Sequence, residues 1–199
     1  MSMPPSIRPM VEGHVVRMAR LSQATCPVGL DAGPRTRHAE RVTQLPATHP
    51  YLADLDAEAD GWRTLVDLVR SLTPEECVVP GYYVDPSWSV RDVMGHVGTW
   101  LAEAGVQFER IAAGTYEGHD VDIDALNASF LEAMRGQPWE VAWTQANAGR
   151  TRMRQAWTAL REPSDEAAWW IRKSAVDHYG EHLDRLEEWV DELKGLRTP

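Results

Sequence analysis

The 199-residue chain is predicted to be an all-α protein, a four-helix bundle that follows an N-terminal extension. Three observations predict this fold class. Apolar residues recur three and four positions apart along four long segments, which is the period of a helix that buries one face. No segment shows the alternation of apolar and polar residues that is typical of a strand. The connections between the segments are short or moderate, as they are in helix bundles.

Composition narrows the possible classes of function. Apolar residues make up 43% and charged residues 25%, so the chain can build a core and is not disordered throughout. The net charge of −10 argues against nucleic acid or an anionic membrane as the main partner, because both attract basic proteins. With two cysteines, no apolar run long enough to span a membrane and no signal-peptide pattern, we expect a cytoplasmic location.

The first 49 residues differ from the rest of the chain. They contain six arginines and six prolines but no tryptophan, tyrosine or phenylalanine, and they carry no wide apolar stripe. Such a segment cannot bury enough apolar surface to compensate for the conformational entropy that its backbone would lose on ordering. We therefore predict a poorly ordered extension over residues 1–49 and one domain over residues 50–199.

The first helix of the domain is predicted from Pro50, a residue that suits the first turn of a helix, to about Leu72. Thr73 and Pro74 then predict an N-cap and one short helical turn. The apolar stripe of helix one consists of Leu52, Leu55, Trp62, Leu65, Val66, Leu68 and Val69.

Helix two is predicted to begin after Ser89, which forms a capping-box pattern with Asp92 in place of the usual Glu. It ends near Gly114. Its apolar stripe consists of Val90, Val93, Met94, Val97, Leu101, Ala104, Phe108 and Ile111.

The third helical region is predicted to start near Asp122, to break at residues 136–138 and to resume from Trp139 to Leu160. We expect Gly149 to weaken its middle by about 1 kcal/mol relative to alanine. The last helix is predicted to run without interruption from a cap at 164–165 to an exit at Gly195.

Three histidines are candidate metal ligands. His178 and His182 lie four residues apart on the last helix and therefore share one face. His96 lies at the edge of the apolar stripe of helix two. If these rings converge inside the bundle, three imidazoles with an open fourth position would make a catalytic metal site. A satisfied core histidine at 96 and a solvated pair at 178 and 182 are the alternatives, and the missing H-E-x-x-H pattern argues against a zincin-type protease.

Two acidic residues lie close to these histidines in sequence. Glu103 follows His96 by seven residues, two turns along the same helix face, and is a candidate catalytic residue that accepts a proton or contacts substrate. A solvated or ion-paired acid is the alternative for Glu103. Glu181 is next to His182 and is expected to point away from the site.

Three segments resemble the DinB-like superfamily, and in particular the N-terminal domain of the mycothiol-dependent maleylpyruvate isomerases. Residues 88–100, WSVRDVMGHVGTW, are similar to its W-S-V-x-D motif, which is followed by a histidine and a tryptophan. Residues 122–127, DIDALN, are similar to the start of its third helix. Residues 177–183, DHYGEHL, are similar to its final-helix H-x-x-x-H motif. The resemblance extends over roughly Tyr51 to Leu193.

This resemblance implies an up-down-down-up bundle that binds a divalent metal, usually zinc or nickel, through His96, His178 and His182. It also implies a possible homodimer. Activities in the superfamily include thiol-dependent isomerisation, thiol transfer and, in the ClbS-type branch, hydrolysis of a reactive metabolite. The isomerases carry a second C-terminal domain beyond the region of likeness, so their own reaction is not the one expected here.

The sequence therefore predicts a metal-dependent enzyme of small-molecule metabolism or detoxification. A bound metal ion could hold a low-molecular-weight thiol such as mycothiol as its thiolate, which predicts a transferase or isomerase. It could also lower the pKa of a bound water, which predicts a hydrolase of a reactive small molecule. A non-enzymatic bundle that sequesters a ligand or binds a partner is the third alternative.

Overall fold

The structure, a computed structural model, describes residues 52–84, 87–118, 121–162 and 164–197. The extension predicted over residues 1–49 lies outside these ranges. Within them every regular element is helical, and β-type pairing is limited to an isolated antiparallel bridge between Tyr83 and Trp88. The all-α fold class is thus confirmed. None of the helices described is long and apolar enough to cross a membrane.

The helices follow the predicted order. In sequence they are α1 (Leu52–Arg70), α2 (Pro74–Cys77), α3 (Val90–Ala113), α4 (Ile123–Met134), α5 (Trp139–Ala159), α6 (Asp165–Ile171), a π-helical turn (Arg172–Val176) and α7 (Asp177–Gly195).

Polar caps define where three of these helices begin. Asp92 accepts hydrogen bonds from the backbone N–H and the hydroxyl of Ser89, at 2.8 and 2.6 Å, so the predicted capping box at the start of α3 is present. The Asp122 carboxylate accepts from the backbone N–H of Ala125 at the start of α4, and Ser164 caps α6 in the same way. The local sequence therefore determines the residue at which each of these three helices begins.

Helix α3 is the most buried element, and it packs along α5 through glycine and alanine residues. A Cβ atom added at Gly98 would lie 2.6 Å from the Cα of Ala146, and one added at Gly149 would lie 2.6 Å from the carbonyl oxygen of Gly98. The expectation that Gly149 weakens α5 is therefore wrong in this setting. The missing side chain at Gly149 lets the two helix backbones approach closely, which outweighs the lower helix propensity of glycine.

A buried carboxylate joins α1 to α5 and α7. Glu58 on α1 has no exposed surface, and it accepts two hydrogen bonds from Arg150, at 2.6 and 3.0 Å. It also pairs with Arg154 and accepts a hydrogen bond from the Tyr179 hydroxyl at 3.1 Å. These partners satisfy a charge that would be costly to bury alone, and they fix α1 relative to the other two helices.

The last helical region contains a feature that the sequence did not predict. Instead of one uninterrupted α-helix, α6 passes into a π-helical turn at Arg172–Val176, and α7 continues from Asp177. A π turn inserts one residue and so changes the angular register of the residues on either side. The turn ends two residues before His178, so it helps to set the direction in which that side chain points.

Candidate metal centre

The three predicted histidines meet at one point in the core. His96 projects from α3, and His178 and His182 project from α7. The Nε2 atom of His178 lies 2.9 Å from that of His96 and 3.2 Å from that of His182. All three rings are buried, and their candidate ligand atoms lie within 4.8 Å of one another. The predicted convergence is therefore present.

The spacing of the nitrogen atoms fits a divalent metal ion. Metal–nitrogen bonds of about 2.0–2.1 Å place two ligand nitrogens about 2.9 Å apart at a right angle and about 3.4 Å apart at a tetrahedral angle. The observed separations of 2.9 and 3.2 Å fall within this interval. Three imidazole ligands suit zinc and nickel alike, since metal preference depends on geometry and supply as well as on the donor atoms.

Tyr82 contacts the ring nitrogen of His182 that faces away from the other two histidines. The Tyr82 hydroxyl lies 3.1 Å from the Nδ1 of His182 and donates its own proton to the His182 carbonyl oxygen, also at 3.1 Å. When the hydroxyl proton is on that carbonyl, the hydroxyl oxygen accepts from Nδ1–H. In this arrangement the Nε2 atom of His182 carries the lone pair and turns it towards the other two histidines, as a metal ligand requires.

The same reasoning applies to His178. Its Nδ1 lies 3.4 Å from the carbonyl oxygen of Ser174 in the π turn, and a carbonyl can only accept a hydrogen bond. With both rings protonated at Nδ1, the Nε2 atoms of His178 and His182 face each other at 3.2 Å and both can bind one metal ion. With a ring protonated at Nε2 instead, the same contact is an N–H···N hydrogen bond between neutral imidazoles.

Tyr82 is itself held in place by α7. The guanidinium of Arg185 donates hydrogen bonds to the backbone carbonyls of Tyr82 and Gly81, at 2.8 and 3.1 Å. Tyr82 is 1% exposed, and its ring lies below the Arg185 guanidinium at 5.9 Å. The loop before α3 is therefore fixed to the helix that carries His182.

Burial keeps the three imidazoles neutral. Desolvation is the main cause that lowers the pKa of His96 to about 3, of His178 to about 2 and of His182 to about 4. Positive charge on neighbouring groups, including the Lys173 ammonium, lowers the pKa of His96 and His178 further. Neutral imidazole is the form that binds metal ions, so protons do not compete for these rings near neutral pH.

A cavity of about 250 Å³ opens beside the histidines. Apart from the three imidazoles, its walls are formed by Trp88, Trp100, Ile123, Asn127, Lys173 and Glu181. The indole of Trp88 packs against His96 with ring centroids 5.2 Å apart, and that of Trp100 packs against His178 at 5.9 Å. A small molecule could therefore reach a metal ion held by the histidines, between apolar side chains on some walls and polar or charged ones on others.

The two acidic candidates are placed differently from each other. Glu103 is half-buried on α3 and accepts a hydrogen bond from the Gln107 amide at 2.6 Å, and it is not among the residues that line the cavity. Its catalytic role stays a prediction. Glu181 was expected to point away, yet it lines the cavity, with its carboxylate 3.6 Å from the Lys173 ammonium. The reason is helical spacing, because residue 181 follows His178 by three positions and shares its face.

Sequence reasoning did not identify Tyr82, Asn127 or Lys173 as residues of this site. Tyr82 lies in a loop, where no periodicity indicates which way a side chain points. Asn127 belongs to the DIDALN segment, whose likeness to the DinB-like superfamily assigns no role to this side chain. Lys173 could have been noticed because the chain has only one other lysine, Lys194.

Comparisons with known proteins give no match: no family model, no curated protein and no solved structure corresponds to this chain. The resemblance to the DinB-like superfamily therefore rests on the three motifs described above.

Proposed function

We propose that this chain is a DinB-like metal-dependent enzyme that acts on a small molecule with a low-molecular-weight thiol as cofactor or co-substrate. The observation that carries the proposal is the meeting of three buried, neutral imidazoles at the wall of an open cavity. A divalent ion held there would stabilise a bound thiol as its thiolate at neutral pH, which is the nucleophile for transfer or isomerisation.

The residues of the chain have separate tasks in this proposal. His96, His178 and His182 hold the ion, and the cavity leaves a coordination position for an incoming ligand. Tyr82 and the Ser174 carbonyl hold the rings of His182 and His178 in the tautomer that binds metal. Trp88 and Trp100 limit the access of water and provide apolar contact for the substrate.

The thiol has to come from outside the described part of the chain. Cys77 is 1% exposed, and burial is the main cause that raises the pKa of its thiol to about 12. A buried thiol with a raised pKa is inert towards electrophiles. This favours an external thiol such as mycothiol over Cys77 as the nucleophile.

The proposed topology is the up-down-down-up four-helix bundle of the DinB-like proteins. Its four helices would be α1, α3, the pair α4 and α5, and the continuous run from α6 to α7. Packing of α3 along α5 and of α1 along α7 supports this arrangement. An experimental structure of the full chain tests the topology and the expected homodimer together.

A hydrolase with the same ligands is the second candidate, and Glu181 favours it. Its carboxylate lines the cavity and could accept a proton from a water molecule activated at the metal. No other carboxylate among the described residues lines this cavity. Hydrolysis of an ester or strained ring would then replace thiol transfer.

Metal analysis of the purified full chain tests the site. We expect about one zinc or nickel ion per chain, and its loss in the variants His96→Ala and His182→Ala. His49→Ala, in the predicted extension, is the matched control and should keep the metal. Absence of stoichiometric metal in the wild-type chain after incubation with zinc and with nickel would contradict the proposal.

Two assays then separate the candidate reactions. Metal-dependent conjugation of mycothiol or cysteine to 1-chloro-2,4-dinitrobenzene would support thiol transfer. Turnover of 4-nitrophenyl acetate that needs the metal but no thiol, and that falls in Glu181→Gln, would support the hydrolase. Metal binding without either activity would favour a sequestering bundle.

A further inference from the structure

We propose that the cavity selects ligands that join a metal-binding atom to a carboxylate, and that Lys173 and Asn127 hold this carboxylate. The inference rests on the proposed metal centre and adds the chemical class of its ligand. It comes from hydrogen-bond donors on residues that line the cavity and that have no acceptor among the described residues.

The first donor is the side-chain amide of Asn127. The indole N–H of Trp100, which can only donate, lies 2.9 Å from the Oδ1 of Asn127. This contact fixes the orientation of the amide, since the opposite orientation would place two donors face to face. The contact therefore identifies which terminal atom of Asn127 is the NH₂ nitrogen. This NH₂ group has no hydrogen-bond acceptor in the described ranges, and the residue lines the cavity.

The second donor is the ammonium group of Lys173. This side chain is two-thirds buried and lines the cavity from the π turn. Its nearest charged partner is Glu181, and the separation of 3.6 Å between Nζ and Oε1 is too long for a hydrogen bond. The side chain of Lys173 thus has no hydrogen-bond acceptor among the residues that the structure describes.

The charges of the cavity favour the same kind of ligand. The imidazoles are neutral, so a divalent ion, the Lys173 ammonium and the Glu181 carboxylate would leave the cavity with net positive charge. A ligand that brings a thiolate to the metal and a carboxylate to Lys173 would neutralise this charge. A carboxylate also accepts hydrogen bonds from both unpaired donors at once.

The remaining walls limit what lies between the two ends of the ligand. The ring faces of Trp88 and Trp100 and the side chain of Ile123 are apolar, while the buried indole N–H of Trp88 is a further donor without an acceptor among the described residues. The cavity volume is about 250 Å³. These features fit a short apolar link between the metal-binding atom and the carboxylate. Mercaptocarboxylates are the smallest molecules of this description.

The test uses the full chain loaded with Co²⁺, because a thiolate that binds Co²⁺ gives a charge-transfer absorption in the near ultraviolet. Titration with Co²⁺ alone first shows whether the metal centre exists. Three probes then share the thiol and differ in the second group: 3-mercaptopropionate, 2-mercaptoethanol and cysteamine. We expect 3-mercaptopropionate to bind about tenfold or more tightly than 2-mercaptoethanol, and cysteamine to bind most weakly.

Two substitutions remove one donor each with little change in shape. Lys173→Met removes the ammonium, and Asn127→Asp keeps an acceptor for the Trp100 indole but replaces the NH₂ donor by a carboxylate oxygen. Each should lower the affinity for 3-mercaptopropionate about tenfold and leave that for 2-mercaptoethanol within about twofold. Lys194→Met, which makes the same change near the end of α7, is the control and should change neither affinity.

The outcomes separate the two proposals. If Co²⁺ does not bind, the proposed metal centre is wrong. If Co²⁺ binds but the three probes bind equally well, or Lys173→Met leaves the preference for 3-mercaptopropionate unchanged, the metal centre stands and the selection of a carboxylate is overturned. An equal loss of that preference in Lys194→Met would also overturn it, because the effect would then come from net charge alone.

Discussion

The hydroxyl group of Tyr82 is the contact that would orient His182 as a ligand in the proposed metal centre. It lies 3.1 Å from both the Nδ1 and the carbonyl oxygen of His182, so it can accept from Nδ1–H while it donates to the carbonyl. Partners of this kind fix both the tautomer and the rotation of a ligand ring, and their loss typically costs 10- to 100-fold in metal affinity. The effect of such a hydrogen-bonding partner can therefore be measured as a change in metal affinity, without an assay of enzyme activity.

We expect Tyr82→Phe to bind zinc about 10- to 100-fold more weakly than the wild-type chain, measured by competition with a chromogenic chelator. Tyr116→Phe is the matched control, because it also removes a hydroxyl that accepts a hydrogen bond, from the indole of Trp170 at 3.0 Å. Each change should lower the free energy of unfolding by about 1 kcal/mol. Equal zinc affinities for the two variants would show that Tyr82 has only a structural role.

At the same scale, the sequence predicted the three histidines that meet in the core but not the groups that contact them. His96, His178 and His182 follow from helical spacing and from three motifs, since residues four apart on a helix share a face whatever the surroundings. Tyr82 acts from a loop whose path depends on Arg185, a hundred residues further along the chain. Contacts of that range leave no local pattern in a sequence.

At the scale of helices, the contact between α3 and α5 depends on residues without side chains. Glycine in the middle of a helix normally costs about 0.5–1 kcal/mol relative to alanine. Here an added Cβ would meet backbone atoms at 2.6 Å from either helix, and backbone cannot move aside as a flexible side chain can. Packing therefore decides whether a glycine-to-alanine substitution at these positions raises or lowers the free energy of unfolding.

We expect Gly98→Ala and Gly149→Ala each to lower the free energy of unfolding by about 1–3 kcal/mol, measured by urea denaturation. Gly180→Ala in α7 is the matched control. Its Cβ would meet nothing within 4 Å, so the substitution should raise the free energy of unfolding by about 0.5–1 kcal/mol. Stabilisation by all three substitutions would mean that α3 and α5 do not approach as closely as described.

The π turn marks the limit of prediction at this scale. The start and exit of the last helical region could be predicted from Ser164 and Gly195, because caps and exits have a residue signature. A change from i→i+4 to i→i+5 hydrogen bonding has no residue signature of this kind, since the same residues are compatible with both patterns. The turn nevertheless decides where Lys173 and Ser174 lie relative to His178, so it affects the site directly.

At the scale of the whole molecule, Glu58 connects three helices through one carboxylate. Replacing a partner in a buried ion-pair network leaves charges without compensation and typically costs about 3–5 kcal/mol. We expect Glu58→Gln to lower the free energy of unfolding by about 3 kcal/mol. This is the lower end of that range, because Arg150 and Arg154 are partly exposed and water can solvate their charges. Urea denaturation measures this change, and Glu132→Gln, in an exposed pair with Arg135, should cost less than about 1 kcal/mol. Similar losses in the two variants would contradict the role given to Glu58.

The proposed metal centre and the core are separable in this architecture. The large buried residues, among them Trp157, Phe108 and Leu65, make no use of a metal ion, and the imidazoles occupy only one part of the interior. Removal of metal should therefore leave a folded chain, unlike a zinc finger, in which the ion supplies most of the folding free energy. A preformed pocket of neutral imidazoles suits an ion that does chemistry at an open position.

We accordingly expect the chain stripped with a chelator to keep its helical circular dichroism and a cooperative urea transition. Zinc at one hundred times its Kd should then raise the free energy of unfolding by about 2.7 kcal/mol, since it binds only the folded chain. His178→Ala should lose this increment while its metal-free form stays folded, because the substitution removes a buried polar ring and not a core anchor. Unfolding of the wild-type chain on removal of metal would instead assign the ion a structural role and argue against an enzyme.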